Sequence, residues 1–248
     1  MAQDCAICHG TGFEVHEEGG VLTSKRCACE SARHAARLEK IARIPQRYAH
    51  CSFDGDVGGF KIHHPESQER ALEACRQWIE RFTPSSDEPD LLLLGPPGRG
   101  KTHLAVSAAR WLMEHKRVWV LFYEQRSLLK ALQGTFESGA GLQESDVLRP
   151  VLDCELLVLD DLGAGRTTEW ARDVLHDVIS HRYNERKHLL VTTNIALGDG
   201  PERRRARSVD APLTLADRLG DALISRLREM CRIVELGGPD YRKTHLSS

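Results

Sequence analysis

The sequence predicts a three-layer α/β fold, a parallel five-stranded sheet covered by helices on both faces, with a small cysteine-rich module ahead of it. Three observations carry this expectation. From about residue 48 onward, short apolar runs alternate with stretches of helical periodicity. The first four of those runs are nearly continuous in apolar residues instead of alternating with polar ones, as expected of strands buried on both faces. Before residue 30 the chain is rich in Cys, Gly and His and almost free of apolar periodicity, so side-chain burial alone cannot fold it.

Taken in order, residues 1–30 form the cysteine-rich module. Residues 31–44 are good helix formers stopped by Pro45 and read as a connecting helix within a linker of 31–47. The main domain, 48–248, opens with a helix over 67–82. A loop over 83–90, with two prolines and two serines, delivers the chain to a strand at 91–94. Further strands are expected at 118–123, 156–159, 189–193 and 232–236, and further helices at 102–114, 127–132, 170–185 and 215–230. Segments 134–146 and 197–212 read as soft connections.

With 248 residues, 41% hydrophobic and 28% charged, the composition is that of an ordinary globular protein and not of a disordered chain. The 34 basic residues against 36 acidic ones give a net charge of -2, which excludes a global attraction to nucleic acid; any DNA contact must be local. No apolar run approaches the roughly 20 residues that span a bilayer, and the first residues lack a basic segment leading into an apolar one. The expectation is a cytoplasmic protein without a membrane partner. In a reducing compartment, clustered cysteines read as a metal site and not as disulfides.

The strongest signal is Gly95-Pro96-Pro97-Gly98-Arg99-Gly100-Lys101-Thr102, which follows a four-leucine strand and opens a helix. This is the spacing and context of a phosphate-binding P-loop. Glycines let the backbone wrap so that its N–H groups converge on an anion, and the helix dipole adds positive potential at the same point. Lys101 is expected to reach the β- and γ-phosphates of ATP, and the Thr102 hydroxyl to ligate Mg²⁺. A metal-holding carboxylate is supplied where LLVLDD, residues 156–161, ends a strand. Asp160 is expected to hold Mg²⁺ through its water shell and Asp161 to orient or polarise the attacking water. Asn194, ending the 189–193 strand, is placed to hydrogen-bond that water or the γ-phosphate if its strand lies between the other two.

Unless Gly220 breaks the helix frame, Arg226 falls within about 20° of Leu219 in an apolar stripe on a continuous 215–230 helix. A cation there needs an anion: Asp217 or Asp221, or the γ-phosphate of ATP bound to a neighbouring subunit. In the module, Cys5 and Cys8 are separated by 18 residues from Cys27 and Cys29. That spacing suits tetrahedral Zn²⁺, with His9 or His16 as alternatives for one sulfur because the second pair is CxC. Such a site is structural, since catalytic zinc keeps an open position.

Together these stretches resemble the DnaC/IstB-like branch of AAA+ ATPases, bacterial replicative-helicase loaders and transposition helper ATPases, over roughly residues 45–243. The resemblance rests on PQRY at 45–48, GPPGRGKTHLA, LLVLDDLG, LLVTTN, LADRLGDALISRLREMCRIVEL and Asp240-Tyr241-Arg242. It implies a 51432 strand order, a sensor role for Asn194, an arginine finger at Arg226 acting in trans, self-assembly through the ATP site, and Arg242 as a sensor near the phosphates. It also implies a lidless domain, because the chain ends soon after the last strand. Asp161 stands where many AAA+ members have Glu, which predicts slow, switch-like hydrolysis. In some loaders a similar cysteine-rich module contacts the helicase.

The function expected is loading of the replicative DNA helicase onto single-stranded DNA. The alternatives are a transposition helper that recruits a transposase, and a zinc adaptor that does not hydrolyse ATP. Single-stranded DNA contacts are expected from Arg203, Arg204, Arg205 and Arg207, from Arg166 after the 156–161 strand near Thr168 and Trp170, or from Trp170 by stacking on a base.

Overall fold

Four of the five strands of the main sheet send alternate residues into two different hydrophobic cores, and this is why they read as unbroken apolar runs. In the computed structural model, which describes residues 5–18, 21–55, 58–137, 143–165, 167–198 and 212–245, the chain forms two sheets. A small antiparallel pair, β1 (Phe13–Glu18) and β2 (Val21–Arg26), lies in the cysteine-rich module. The main sheet contains β3 (Asp90–Leu94), β4 (Val120–Glu124), β5 (Leu156–Asp160), β6 (His188–Thr193) and β7 (Cys231–Glu235). Its order is β4-β5-β6-β3-β7 with every pairing parallel, so β6 does lie between β5 and β3.

Leu91, Leu93, Val120, Phe122, Leu156, Val158 and Leu190 pack on one face against α2 (Pro65–Arg81) and α3 (Lys101–Trp111). A π-turn over Leu112–Lys116 prolongs α3. Leu92, Leu121, Leu157, Leu159, Leu189 and Val191 pack on the other face. The helices there are α4 (Gln125–Glu137), α5 (Glu144–Asp153) and α6 (Glu169–Asn184), with α7 (Leu215–Leu219) and α8 (Asp221–Met230) after them. Burying each such leucine contributes about 1.5–3 kcal/mol. The edge strand β7 buries Val234 but exposes Arg232 and Glu235.

Helix α1 (Ala28–Ile41) starts three residues before the expected 31, so Cys29 sits in its first turn. It joins the module to the main domain. Leu38 and Ala42 enter the first core, and the Phe122 amide donates to the Ala42 carbonyl at 2.7 Å. The short C-terminal helix α9 spans Tyr241–His245. Among the described residues no helix is long and apolar enough to cross a membrane.

Three sequence expectations need correction. The hairpin β1–β2 was not anticipated. Segment 134–146 is not simply soft: α4 runs to Glu137, and α5 begins at Glu144 despite Pro150 in its interior. The fully buried Arg182 closes the end of α5, donating to the carbonyls of Val151 at 2.8 Å and Cys154 at 3.0 Å. The continuous 215–230 helix is broken at Gly220, with φ 92° and ψ 151°. The angular argument that set Arg226 in a single apolar stripe therefore fails. Asp217 instead closes a capping box with Thr214, accepting from its amide at 2.8 Å.

That Gly220 conformation is one that only glycine occupies without strain. Gly220→Ala should destabilise the fold by about 1–3 kcal/mol in urea denaturation; an unchanged midpoint would show that the break is not enforced by the backbone.

Candidate functional site

The inner strands β3, β5 and β6 run parallel and end on the same side of the sheet, so the loop over 95–100 and the polar residues after those strands meet in one place. The loop requires its glycines. At Gly100, φ is +90° and a Cβ would lie 2.4 Å from the Phe60 ring; at Gly98, a Cβ would lie 1.8 Å from the Asp240 carboxylate. Lys101, first residue of α3, folds back under the loop. Its ammonium donates to the carbonyls of Gly95 at 2.7 Å and Pro96 at 2.8 Å and to Asn194 Oδ1 at 2.6 Å. Burial pulls its pKa down to about 8, against the opposing pull of Asp161 and Asp160.

Asp160 closes β5 and is buried. Its Oδ1 accepts from the hydroxyls of Thr102 at 2.8 Å and Thr192 at 2.6 Å, while burial raises its pKa. Asp161 turns the chain with a left-handed φ of 57°. Its amide donates to Thr192 Oγ1 at 3.0 Å, and its carboxylate accepts from the Asn194 side-chain amide. Thus Lys101, Thr102, Asp160, Asp161 and Asn194 form one hydrogen-bonded cluster. They face a cavity of about 500 Å³ that is also lined by Tyr48, Phe60, Arg99 and Arg242. The Thr102 hydroxyl and the Asp160 carboxylate are adjacent hard oxygens, a donor set that fits Mg²⁺.

Sequence reasoning missed other parts of the wall, among them His50, the 58–63 loop, Gln68 at the start of α2, His103 and Glu124, and it gave Tyr241 no role. Gly58-Gly59 before Phe60 was the available signal.

Arg226, on α8, is not among the residues lining this cavity. It is half-buried, with its Nη1 3.0 Å from His176 Nε2 and its guanidinium 6.0 Å from the Tyr183 ring. Trp170 is half-buried against the second core. Arg166, Arg203, Arg204, Arg205 and Arg207 lie outside the described residues.

In the module, the sulfurs of Cys5, Cys8, Cys27 and Cys29 all lie within 4.8 Å of one another, with Cys5–Cys27 at 3.6 Å and Cys8–Cys29 at 3.3 Å. Tetrahedral zinc thiolate bonds place sulfurs about 3.8 Å apart, so the cluster fits that ion. The thiols compete for charge. Backbone amides of Cys8 and Ile7 draw Cys5 down to about 6, while its hydrogen bond with Cys8 pushes Cys29 up to about 12. A central dication would relieve that competition. His9 and His16 are exposed and stand outside the four-sulfur group.

A family profile described as IstB-like ATP binding protein matches residues 19–248. The chain therefore belongs to the IstB-like ATP-binding proteins, the DnaC/IstB branch of the AAA+ fold that the strand order and phosphate loop define. The replicative helicase loader DnaC of Buchnera aphidicola subsp. Acyrthosiphon pisum is 24% identical over 183 residues, 73% of this chain and 70% of that protein. The crystal structure of the DnaC helicase loader superposes with a TM-score of 0.64 at 31% identity, covering 78% of this chain and all of that one. That of DnaI, at 20% identity and a TM-score of 0.59 over 83% of this chain, shares the fold.

The Lys101 ammonium must be charged to meet a triphosphate. Where its pKa is about 8 in the free protein, a higher pH makes binding take up a proton. Affinity for ATP should hold up to about pH 8 and then fall by up to about tenfold per pH unit, as read by calorimetry. A flat affinity to about pH 10 would contradict the buried lysine.

Proposed function

We propose that this chain is an ATP-hydrolysing loader of the replicative DNA helicase, acting on single-stranded DNA. The observation that carries it is the convergence of Lys101, Thr102, Asp160, Asp161 and Asn194 on one cavity at the strand ends of a parallel sheet. On binding, Lys101 exchanges the Gly95 and Pro96 carbonyls for the β- and γ-phosphates, while backbone amides of 95–102 hold the phosphate chain. Thr102 and Asp160 would hold Mg²⁺, which when bound supplies charge neutralisation across the phosphates.

Asp161 orients a water against the γ-phosphate, and Asn194, already bonded to both Lys101 and Asp161, fixes where that water sits. Water adds to the γ-phosphorus as the bond to ADP breaks, giving ADP and phosphate. The short reach of Asp161 supports slow turnover, so that nucleotide state works as a switch. The resemblance to AAA+ ATPases supports a role for Arg226 at the ATP of a neighbouring subunit in an assembly joined through that site; it does not line its own subunit's cavity. Arg242, on the cavity wall, reads the phosphates within its own subunit.

The four cysteines would hold structural zinc. The hairpin presents Phe13, Val15 and Leu22 on one exposed face, and Ile7 is exposed as well, which supports a docking role for the module. Helicase loading ranks above recruitment of a transposase because several of the similar proteins and the 31%-identical structure are named as DnaC helicase loaders.

Two measurements test this reading. Affinity capture from the native cell, with ATP and with ADP, should recover a hexameric helicase in a nucleotide-dependent manner; recovery of a transposase alone would overturn it. Metal analysis of the purified chain should find about one zinc, lost in Cys8→Ser, and chelation should unfold the module while ATP binding persists. A metal-free chain with the hairpin intact would refute the zinc assignment.

A further inference from the structure

Gln68 is 3% exposed, yet it is a polar residue in the first turn of α2, and its hydrogen bonds explain why it is buried. Its Oε1 accepts from the backbone amides of His63 at 2.6 Å and His64 at 2.9 Å. Its Nε2 donates to the carbonyl of Arg99, inside the phosphate loop, at 3.4 Å. Next to it, Ser67 Oγ accepts from the amide of Gly237 at 2.9 Å and lies 3.1 Å from His64 Nδ1.

Three segments therefore meet at the start of α2: the 58–64 loop, the phosphate loop, and the chain leaving β7. They are distant in sequence, and each lines the cavity. They also touch one another directly. The Tyr241 amide donates to the Gly98 carbonyl at 3.1 Å, and the rings of His63 and Tyr241 lie 4.9 Å apart.

We infer that Gln68 is a positioning residue for nucleotide binding, the side chain that ties the 58–64 wall to the phosphate loop and holds the cavity in its binding shape. The inference rests on ATP occupying this cavity. A buried amide that satisfies two backbone donors leaves both unsatisfied when it is removed, so the wall must move to find water. Binding then has to reorder that wall before the nucleotide is enclosed, which weakens affinity without touching the groups that act on the γ-phosphate. The expected signature is a rise in nucleotide Kd with turnover at saturating ATP unchanged.

The test compares wild type, Gln68→Ala, Gln68→Glu and Ile79→Val by calorimetric titration with ATP and Mg²⁺, by saturated turnover, and by hydrogen exchange at His63 and His64. Ile79 is buried on the same helix, away from the cavity, and its variant lowers stability without cutting the tie. Gln68→Ala should raise Kd by about tenfold or more and deprotect both amides even without nucleotide. Gln68→Glu keeps the acceptor for those amides but loses the donor to Arg99, so it should keep their protection while still weakening binding.

A Gln68→Ala or Gln68→Glu protein that binds ATP within about twofold of wild type would overturn the inference, as would an equal rise in Kd from Ile79→Val. Wild type that binds no ATP would instead overturn the proposed function, a result the variants cannot mimic.

Discussion

Asp160 accepts hydrogen bonds from Thr102 and Thr192, and these bonds join the end of β5 to β6 and to the helix that follows the phosphate loop. A carboxylate buried at a strand end is costly unless its charge is met. Here the two hydroxyls and the nearby Lys101 ammonium meet part of it, and burial still raises the Asp160 pKa. The site therefore holds a residual demand for a cation at Asp160 and, with Lys101 turned back on loop carbonyls, for an anion at the glycine loop. A magnesium-bound triphosphate answers both demands at once. The five parallel strands act as the frame that keeps these opposed charges in register.

The cavity around that charge cluster is assembled from pieces that are not neighbours in sequence. Phe60 packs where Gly100 has no side chain, and Asp240 packs where Gly98 has none. The loop that grips phosphate is therefore shaped from outside by the 58–64 wall and by the segment after β7. The cysteine module follows a different logic. Its hairpin turns Phe13, Val15 and Leu22 outward, while the four sulfurs lie together within 4.8 Å of one another.

The parts of this architecture that were legible in the sequence are those set by burial and by backbone chemistry. Strands with both faces covered leave unbroken runs such as LLLL and LLVLD, and the phosphate loop announces itself through glycine spacing before Lys101. Other features depend on contacts that periodicity does not encode. The β1–β2 hairpin has too few apolar residues to declare itself, and α5 hides behind Pro150. Gly220 marks the break in the sequence although the regular leucines on either side favour a continuous helix, and with the break goes the angular placement of Arg226. Gln68 looks like any polar residue at a helix start. Only its partners, far apart along the chain, give it a role.

The central claim is that this cavity binds a nucleoside triphosphate through the Lys101 ammonium and the loop amides. Calorimetric titration of ATP with Mg²⁺ into wild type and Lys101→Ala tests it most directly. The account predicts saturable binding by wild type that falls by about a hundredfold or more in the variant, the loss expected when a charged ligand to phosphate is removed. Equal affinity in the two proteins would contradict it.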